Sequence, residues 1–268
     1  MTSSRRVLAQ AGFTRTDLIT SLAVVTMLAT LAMVSLAVAG GRSGSMLCQH
    51  NLGRLAQAWL LFAEDNRGSL VPSIGTANDP AWVTDILSDG AGNTSNTNVV
   101  GLTQSRLWKY LEPRSTSVFR CPDDPTVVAF GSVFYPRVRS YSLNAWMNGT
   151  AWTSGFKTAT NLAALSNPAR TSLFLDEHEA SINDGAFIID MRGYSPYSPS
   201  TFTLVDLPSA RHLGGACLSF GDGHAEWWKW SDARTVPTYI PGKILSLNTP
   251  QPNNLDVYRL QGVAGALR

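Results

Sequence analysis

Between Asp17 and Arg42 the chain carries no charged side chain, and residues 18–41 are dominated by Leu, Val, Ala and Met. A bilayer-crossing helix needs roughly 20 such residues, whereas the apolar core of a removable signal peptide runs only about 7–15. The stretch therefore predicts a retained membrane-spanning helix. Arg5 and Arg6 precede it, so the excess of basic charge places the N-terminus in the cytoplasm and everything after Arg42 across the membrane. Asp17 stands at the border, where a carboxylate is costly unless it is paired or held at the interface.

The remaining composition excludes two classes. With 21 basic against 19 acidic residues, a net charge of +2 and no Lys/Arg-rich run, the chain lacks the basic density that nucleic-acid binding requires. Eight Trp, ten Phe and seven Tyr give too much buriable surface for an intrinsically disordered chain.

After Arg42 the apolar residues Met46, Leu47, Leu52, Leu55, Ala56, Trp59, Leu60 and Phe62 or Ala63 recur at three- and four-residue intervals, the mark of an amphipathic helix. Gly40 and Gly41 loosen the junction without ending it, so a rod on the order of 80 Å is expected from residue 13 to about 65. Asp65-Asn66-Arg67-Gly68 followed by Pro72 reads as its stop. Beyond it, Gly, Pro, Asn and Ser punctuate short apolar runs, which predicts a β-rich body. Residues 88–98 read as a loop, 102–111 as a short helix, and 118–121 and 141–144 as short strands or turns. The better strand candidates are 171–175, 186–191 and 216–220, the last continued by 225–230 as a hairpin through Gly221-Asp222-Gly223. The tail from Pro237 reads as irregular.

Three stretches carry a resemblance. Gly12-Phe13-Thr14-Arg15-Thr16-Asp17-Leu18-Ile19 resembles the processing site of type IV prepilins and type II secretion pseudopilins, with Asp17 where the family carries Glu, Arg15 at a usually apolar position, and no helix-kinking Pro downstream. Cys48-x-x-Asn51-Leu52-x-x-Leu55 with Phe62-Ala63-x-Asp65-Asn66-x-Gly68, and Arg211-His212-x-Gly214-Gly215-Ala216 with Phe220-Gly221-Asp222-Gly223-His224, are similar to a pilin-like group with a C-terminal H-x9-D-G element. The resemblance implies an α+β, pilin-like fold: a long N-terminal membrane-spanning helix packed on a β-rich antiparallel head. It divides the chain into a leader (1–12), an apolar transmembrane and assembly half of the helix (13–41), an amphipathic half (42–67) and a head (68–268) containing the 212–223 element.

It further implies cleavage by a prepilin peptidase between Gly12 and Phe13, N-methylation of Phe13, and Asp17 neutralising the N-terminal amine of a neighbouring subunit. Removing the leader, with Arg5 and Arg6 and no acidic residue, takes the net charge from +2 to zero. The implied partners are the peptidase, identical or different pilin-like subunits in a filament, an inner-membrane assembly platform and membrane lipid, with no nucleic acid. The implied location is the cytoplasmic (inner) membrane, single-pass, with the head extracytoplasmic and reaching the cell surface after assembly. A membrane-anchored binding protein for sugar or another surface ligand is the alternative.

Within the head, Asp222-Gly223 suits a tight turn, and His212 is expected either to clasp the hairpin against Asp222 or to join a cation site. Asp176-Glu177-His178-Glu179 and Asp184 form the densest acidic cluster. Asp176, Glu177, Asp184 and Asp222 are thus candidate Ca²⁺ ligands, since hard carboxylate oxygens suit that ion, but the spacing is neither an EF-hand nor H-E-x-x-H. Three cysteines beyond the membrane leave a Cys48–Cys121 bridge open, while Cys217 sits in a strand pattern as a small apolar residue. Trp227, Trp228, Trp230, Trp82, Trp146 and Trp152 suggest a sugar platform, but alternation assigns Trp228 and Trp230 to one strand face and Trp227 to the other, which packing explains. No G-x-S-x-G, phosphate loop or dinucleotide fingerprint is present, so the expected role is structural and not enzymatic.

Overall fold

The computed structural model describes residues 14–88, 93–130, 132–241 and 245–268, excepting the side chains of residues 32, 34–42 and 130. The chain divides into two units, Met1–Gly41 and Arg42–Arg268. Helix α1 is Arg15–Asp65 and continues through Gly40 and Gly41 without a break.

In the first unit, α1 opens with a reciprocal cap. The Asp17 backbone N–H donates to Thr14 Oγ1 at 3.2 Å, and the Thr14 N–H donates to Asp17 Oδ2 at 2.8 Å, the arrangement of a capping box. The membrane-spanning assignment is overturned here: among the described residues no helix is long and apolar enough to cross a membrane. The reason lies in the residues around the apolar ones. Arg15 and Asp17 occupy the first turn, so the charge-free run with described side chains starts at Leu18 and ends at Met33, shorter than the roughly 20 residues a bilayer needs. The side chains of residues 34–41, which completed the expected span, lie outside the described set. The expected single-pass inner-membrane location and the transmembrane helix are both corrected by this finding.

The second unit is α+β with a sheet-rich body. Its strands are β1 Val127–Phe130, β2 Val133–Pro136, β3 Tyr141–Asn144, β4 Ser172–Asp176, β5 Ala186–Phe187, β6 Thr203–Leu204, β7 Gly215–Phe220, β8 Ala225–Lys229 and β9 Thr249–Pro250; short helices α2 Val100–Thr103 and α3 Leu255–Gln261 complete it. The central five-stranded sheet has the order β5-β3-β4-β7-β8, antiparallel except for the parallel β3–β5 pair. β1–β2 and β6–β9 are separate two-stranded ribbons.

From Arg42 on, α1 follows the expected apolar stripe. Cys48, Leu52, Leu55, Ala56, Ala58, Trp59, Phe62 and Ala63 are buried in one core with Tyr141, Leu143, Phe174, Leu175, Cys217 and Leu218 of the sheet. Met46 and Leu47, assigned to the same stripe, are instead exposed. The helix stops as its sequence predicts: Arg67 and Gly68 take positive φ, and the Gly68 N–H donates to Ala63 O at 2.7 Å. A Cβ at Gly68 would meet Asn161 Nδ2 at 2.9 Å, so this position combines a left-handed turn with a close approach.

Several local expectations change. Residues 186–191 supply only two strand residues, because β5 pairs with β3 at Ala186 and Phe187 alone. Residues 116–119 form a 3-10 turn capped by Ser115. Within 102–111 there is the end of α2 and a separate 3-10 turn at Trp108–Tyr110. Of the expected loop at 88–98, the described residues 93–98 include a 3-10 turn at Thr94–Asn96 capped by Asn93, and buried Asn96 donates through Nδ2 to Ser88 O. The tail is ordered by α3, whose cap Asn254 accepts from the Asp256 and Val257 N–H groups, with Val257 and Leu260 buried.

Candidate functional site

Of the residues singled out in the sequence, Gly12 and Phe13 lie outside the described residues. Asp17 is exposed, and the hydrogen bonds from Thr14 hold its carboxyl below the usual carboxylate range. The neighbouring hydroxyls fold back onto their own helix: Thr20 donates to Thr16 O, Ser21 to Asp17 O, Thr26 to Leu22 O and Thr30 to Met27 O, at 2.6–2.9 Å. Between them Leu18, Ile19, Leu22, Val24, Val25, Met27, Leu28, Leu31 and Met33 are each 55–67% exposed. The helix surface here is apolar in effect, its polar groups already satisfied.

His212 and Asp222 do not clasp. They lie beyond opposite ends of β7, so the strand itself separates them. Asp222 is exposed and receives the His224 N–H in a local turn, with Gly223 at φ +95°. A Cβ on Gly223 would collide with Gln57 Nε2, so this glycine lets the hairpin turn approach α1. His212 is fully buried just before the left-handed pair Leu213-Gly214 that leads into β7.

That turn delivers Arg211 and His212 to a cluster at the end of the sheet. Cys48 comes from α1, Cys121 from the segment before β1, Asp176 from the end of β4. One ligand atom from each of Cys48, Cys121, Asp176 and His212 lies within 4.8 Å of the others, and all four residues are buried. Cys121 Sγ is 3.2 Å from His212 Nε2, Cys48 Sγ is 3.7 Å from Asp176 Oδ2, and His212 Nε2 is 3.7 Å from the same oxygen. Tyr141 donates its hydroxyl to Cys48 Sγ at 3.3 Å. His212 Nδ1 faces Asp123 Oδ2 at 3.2 Å, within ion-pair distance but off the angle of a hydrogen bond.

Arg211 fixes the carboxylate. Its guanidinium pairs with Asp176 Oδ1, donates to Glu179 Oε1 at 2.8 Å and to Glu177 O at 2.7 Å, leaving Asp176 Oδ2 turned to the thiol and imidazole. Burial pushes the Cys48 and Cys121 thiols up and the Asp176 carboxyl to about 6, and it pushes the His212 imidazole down. Arg211 and Arg137 overcome burial at Asp124 and hold that carboxyl below its usual range. The two thiols and the imidazole thus favour their neutral forms, while Arg211 stays charged beside them, held above its usual range by the neighbouring acids despite burial.

The other proposed Ca²⁺ ligands are elsewhere. Glu177 is buried and accepts from Ser142 and Ser181 at 2.5 and 2.8 Å. Asp184 accepts the Ala186 N–H that starts β5. Only Asp176 of the four belongs to the cluster, and two sulfurs with one imidazole form a softer donor set than Ca²⁺ takes.

The sequence grouped Asp176 and His212 only with Asp222 and the neighbouring acids as a cation site, and it left a Cys48–Cys121 bridge open; both cysteines are free thiols. The four donors come from four distant segments, and no short spacing announces them. The sugar platform is not assembled: Trp82 and Trp146 are buried and donate to Gly185 O and Ile189 O. Trp228 and Trp230 are buried and Trp227 half-exposed, as alternation predicts, and Arg259 lies over the Trp228 ring at 3.7 Å. No protein-family model, curated protein or solved structure matches the chain.

Proposed function

We propose that the chain is a structural subunit of pilin-like type, processed by a prepilin peptidase between Gly12 and Phe13 and assembling with other subunits through the N-terminal part of α1. The observation that carries this reading is the run of nine large apolar side chains between residues 18 and 33, all more than half exposed. Contiguous exposed apolar surface of this kind marks an interaction site, and covering one such side chain fully is worth ~1.5–3 kcal/mol. The internally satisfied Thr and Ser hydroxyls let a neighbouring helix pack there without stranding a polar group.

Asp17 supports the reading in a more specific way. Its carboxylate sits at the first turn of α1, where an amine from a neighbouring subunit could pair with it in an assembly. Its local work is the capping box with Thr14, and the two roles separate by substitution. Asp17→Gln keeps an amide oxygen able to cap and removes the charge; it should leave the helix formed and abolish co-assembly, whereas Asp17→Glu should assemble. Sheared filaments should contain the chain with Phe13 as its first residue. Recovery only as dispersed chains starting at Met1, or wild-type assembly of Asp17→Gln, would contradict the proposal.

A further inference from the structure

We infer that Cys48, Cys121, Asp176 and His212 form a structural site for a tetrahedral transition cation of the Zn²⁺ class. With metal–sulfur bonds of ~2.3 Å and metal–nitrogen or –oxygen bonds of ~2.0–2.1 Å, ligand atoms around such an ion stand about 3.3–3.8 Å apart. The contacts at 3.2, 3.7 and 3.7 Å fall on or next to that range. The widest separation, within 4.8 Å, closes with side-chain movement of about 1 Å.

The surroundings match as well as the distances. Ligating histidines generally present their second ring nitrogen to a carboxylate or carbonyl, which fixes tautomer and orientation. Here His212 turns Nε2 to the thiols, and Nδ1 faces Asp123 at 3.2 Å. Room for that carboxylate is made by Gly44, where a Cβ would collide with Asp123 Oδ2. Arg211 occupies the other oxygen of Asp176. A dication with two thiolates and one carboxylate carries net −1, and the buried Arg211 guanidinium offsets it.

Binding releases the two thiol protons to solvent as the metal–sulfur bonds form, and it orders four segments at once. Since all four ligands are buried, the ion enters as the chain folds. The site concerns the fold of the second unit and stands independently of the assembly proposal.

The test is refolding of the reduced full chain with Co²⁺ or Zn²⁺, followed by dialysis, metal analysis and absorption spectroscopy. Wild type should retain one ion per chain and show the visible and thiolate charge-transfer bands of tetrahedral cobalt. Cys121→Ser and His212→Gln should lose the ion, while Cys217→Ser, whose thiol donates to Ser45 O at 3.5 Å outside the set, should keep it. Chelation during refolding should lower the wild-type Tm by roughly 5 °C or more and leave the ligand variants unmoved. Wild type that retains no ion, Cys121→Ser that retains a full equivalent, or a Cys48–Cys121 disulfide in freshly isolated protein would overturn the inference.

Discussion

In residues 18–33 the large side chains described are apolar and more than half exposed. Around Asp176, Arg211 and Arg137 the side chains are ionisable and buried. The first region has satisfied its polar groups within its own helix and left its apolar area uncovered, so under the proposed assembly its free energy would be gained by association. The second has paired its charges internally, Arg137 with Asp124, Arg139 with Asp85, and Arg211 with Asp176 and Glu179, and offers little to a partner. Such pairs add modest stability but are costly to break singly, because removal of one member strands the other. The contrast is the ground for proposing assembly through the one region and for placing the uniqueness of the fold in the other.

The largest expected effect breaks the first side of that contrast. Leu22→Asp puts a charge in the middle of the exposed apolar run; sedimentation should show assembly abolished, while thermal melts of the second unit shift by no more than about 0.5 kcal/mol. A substantial stability loss would mean that Leu22 serves the fold.

On the other side, Arg211→Leu should destabilise the second unit by ~3–5 kcal/mol in denaturant titrations, since Asp176, Glu179 and Asp124 lose their shared cation. A loss below about 1 kcal/mol would show those carboxyls to be neutral and the network inert.

A pH series sharpens the comparison further. Burial pushes the Asp206 carboxyl from 3.8 to about 7, with Asp184 adding in the same direction, and raises Glu177 beside it. The folded state then holds a proton that the unfolded chain has released, so stability falls as pH rises from about 4 to 7. Asp206→Asn should remove ~2–4 kcal/mol of that decline; an unchanged slope would place the titration elsewhere. The smallest effect is expected at Asp222→Ala, where an exposed turn contact with His224 is lost and the cost should stay below about 1 kcal/mol. A larger loss would restore Asp222 to the core of its motif.

The sequence was most readable where a single period controls burial. Leu52, Leu55, Ala56, Trp59 and Phe62 face the core because three- and four-residue spacing leaves no other face for them, and Trp228 and Trp230 follow the two-residue period of β8. It was least readable where partners are distant. α3 is seven residues flanked by Pro and Asn, and its one local signal was Asn254 as a cap. β5 exists as a strand only through its pairing with β3. The spacing of His212 and Asp222 marks two separate turns, one bringing His212 to the thiols and the other bringing Gly223 to Gln57. A membrane span is the reading of the charge-free run at residues 18–41, and the described helix, with Arg15 and Asp17 in its first turn, does not sustain it.

Thiol labelling tests the contrast most directly, because Cys48, Cys121 and Cys217 are all buried and an introduced cysteine reports alone. Leu22→Cys and Tyr197→Cys, at positions 64% and 59% exposed, should both react with a maleimide in dispersed protein. In sheared, assembled material the account predicts that Leu22→Cys becomes protected while Tyr197→Cys keeps reacting. Equal reactivity of Leu22→Cys in both states would contradict assembly through the N-terminal part of α1.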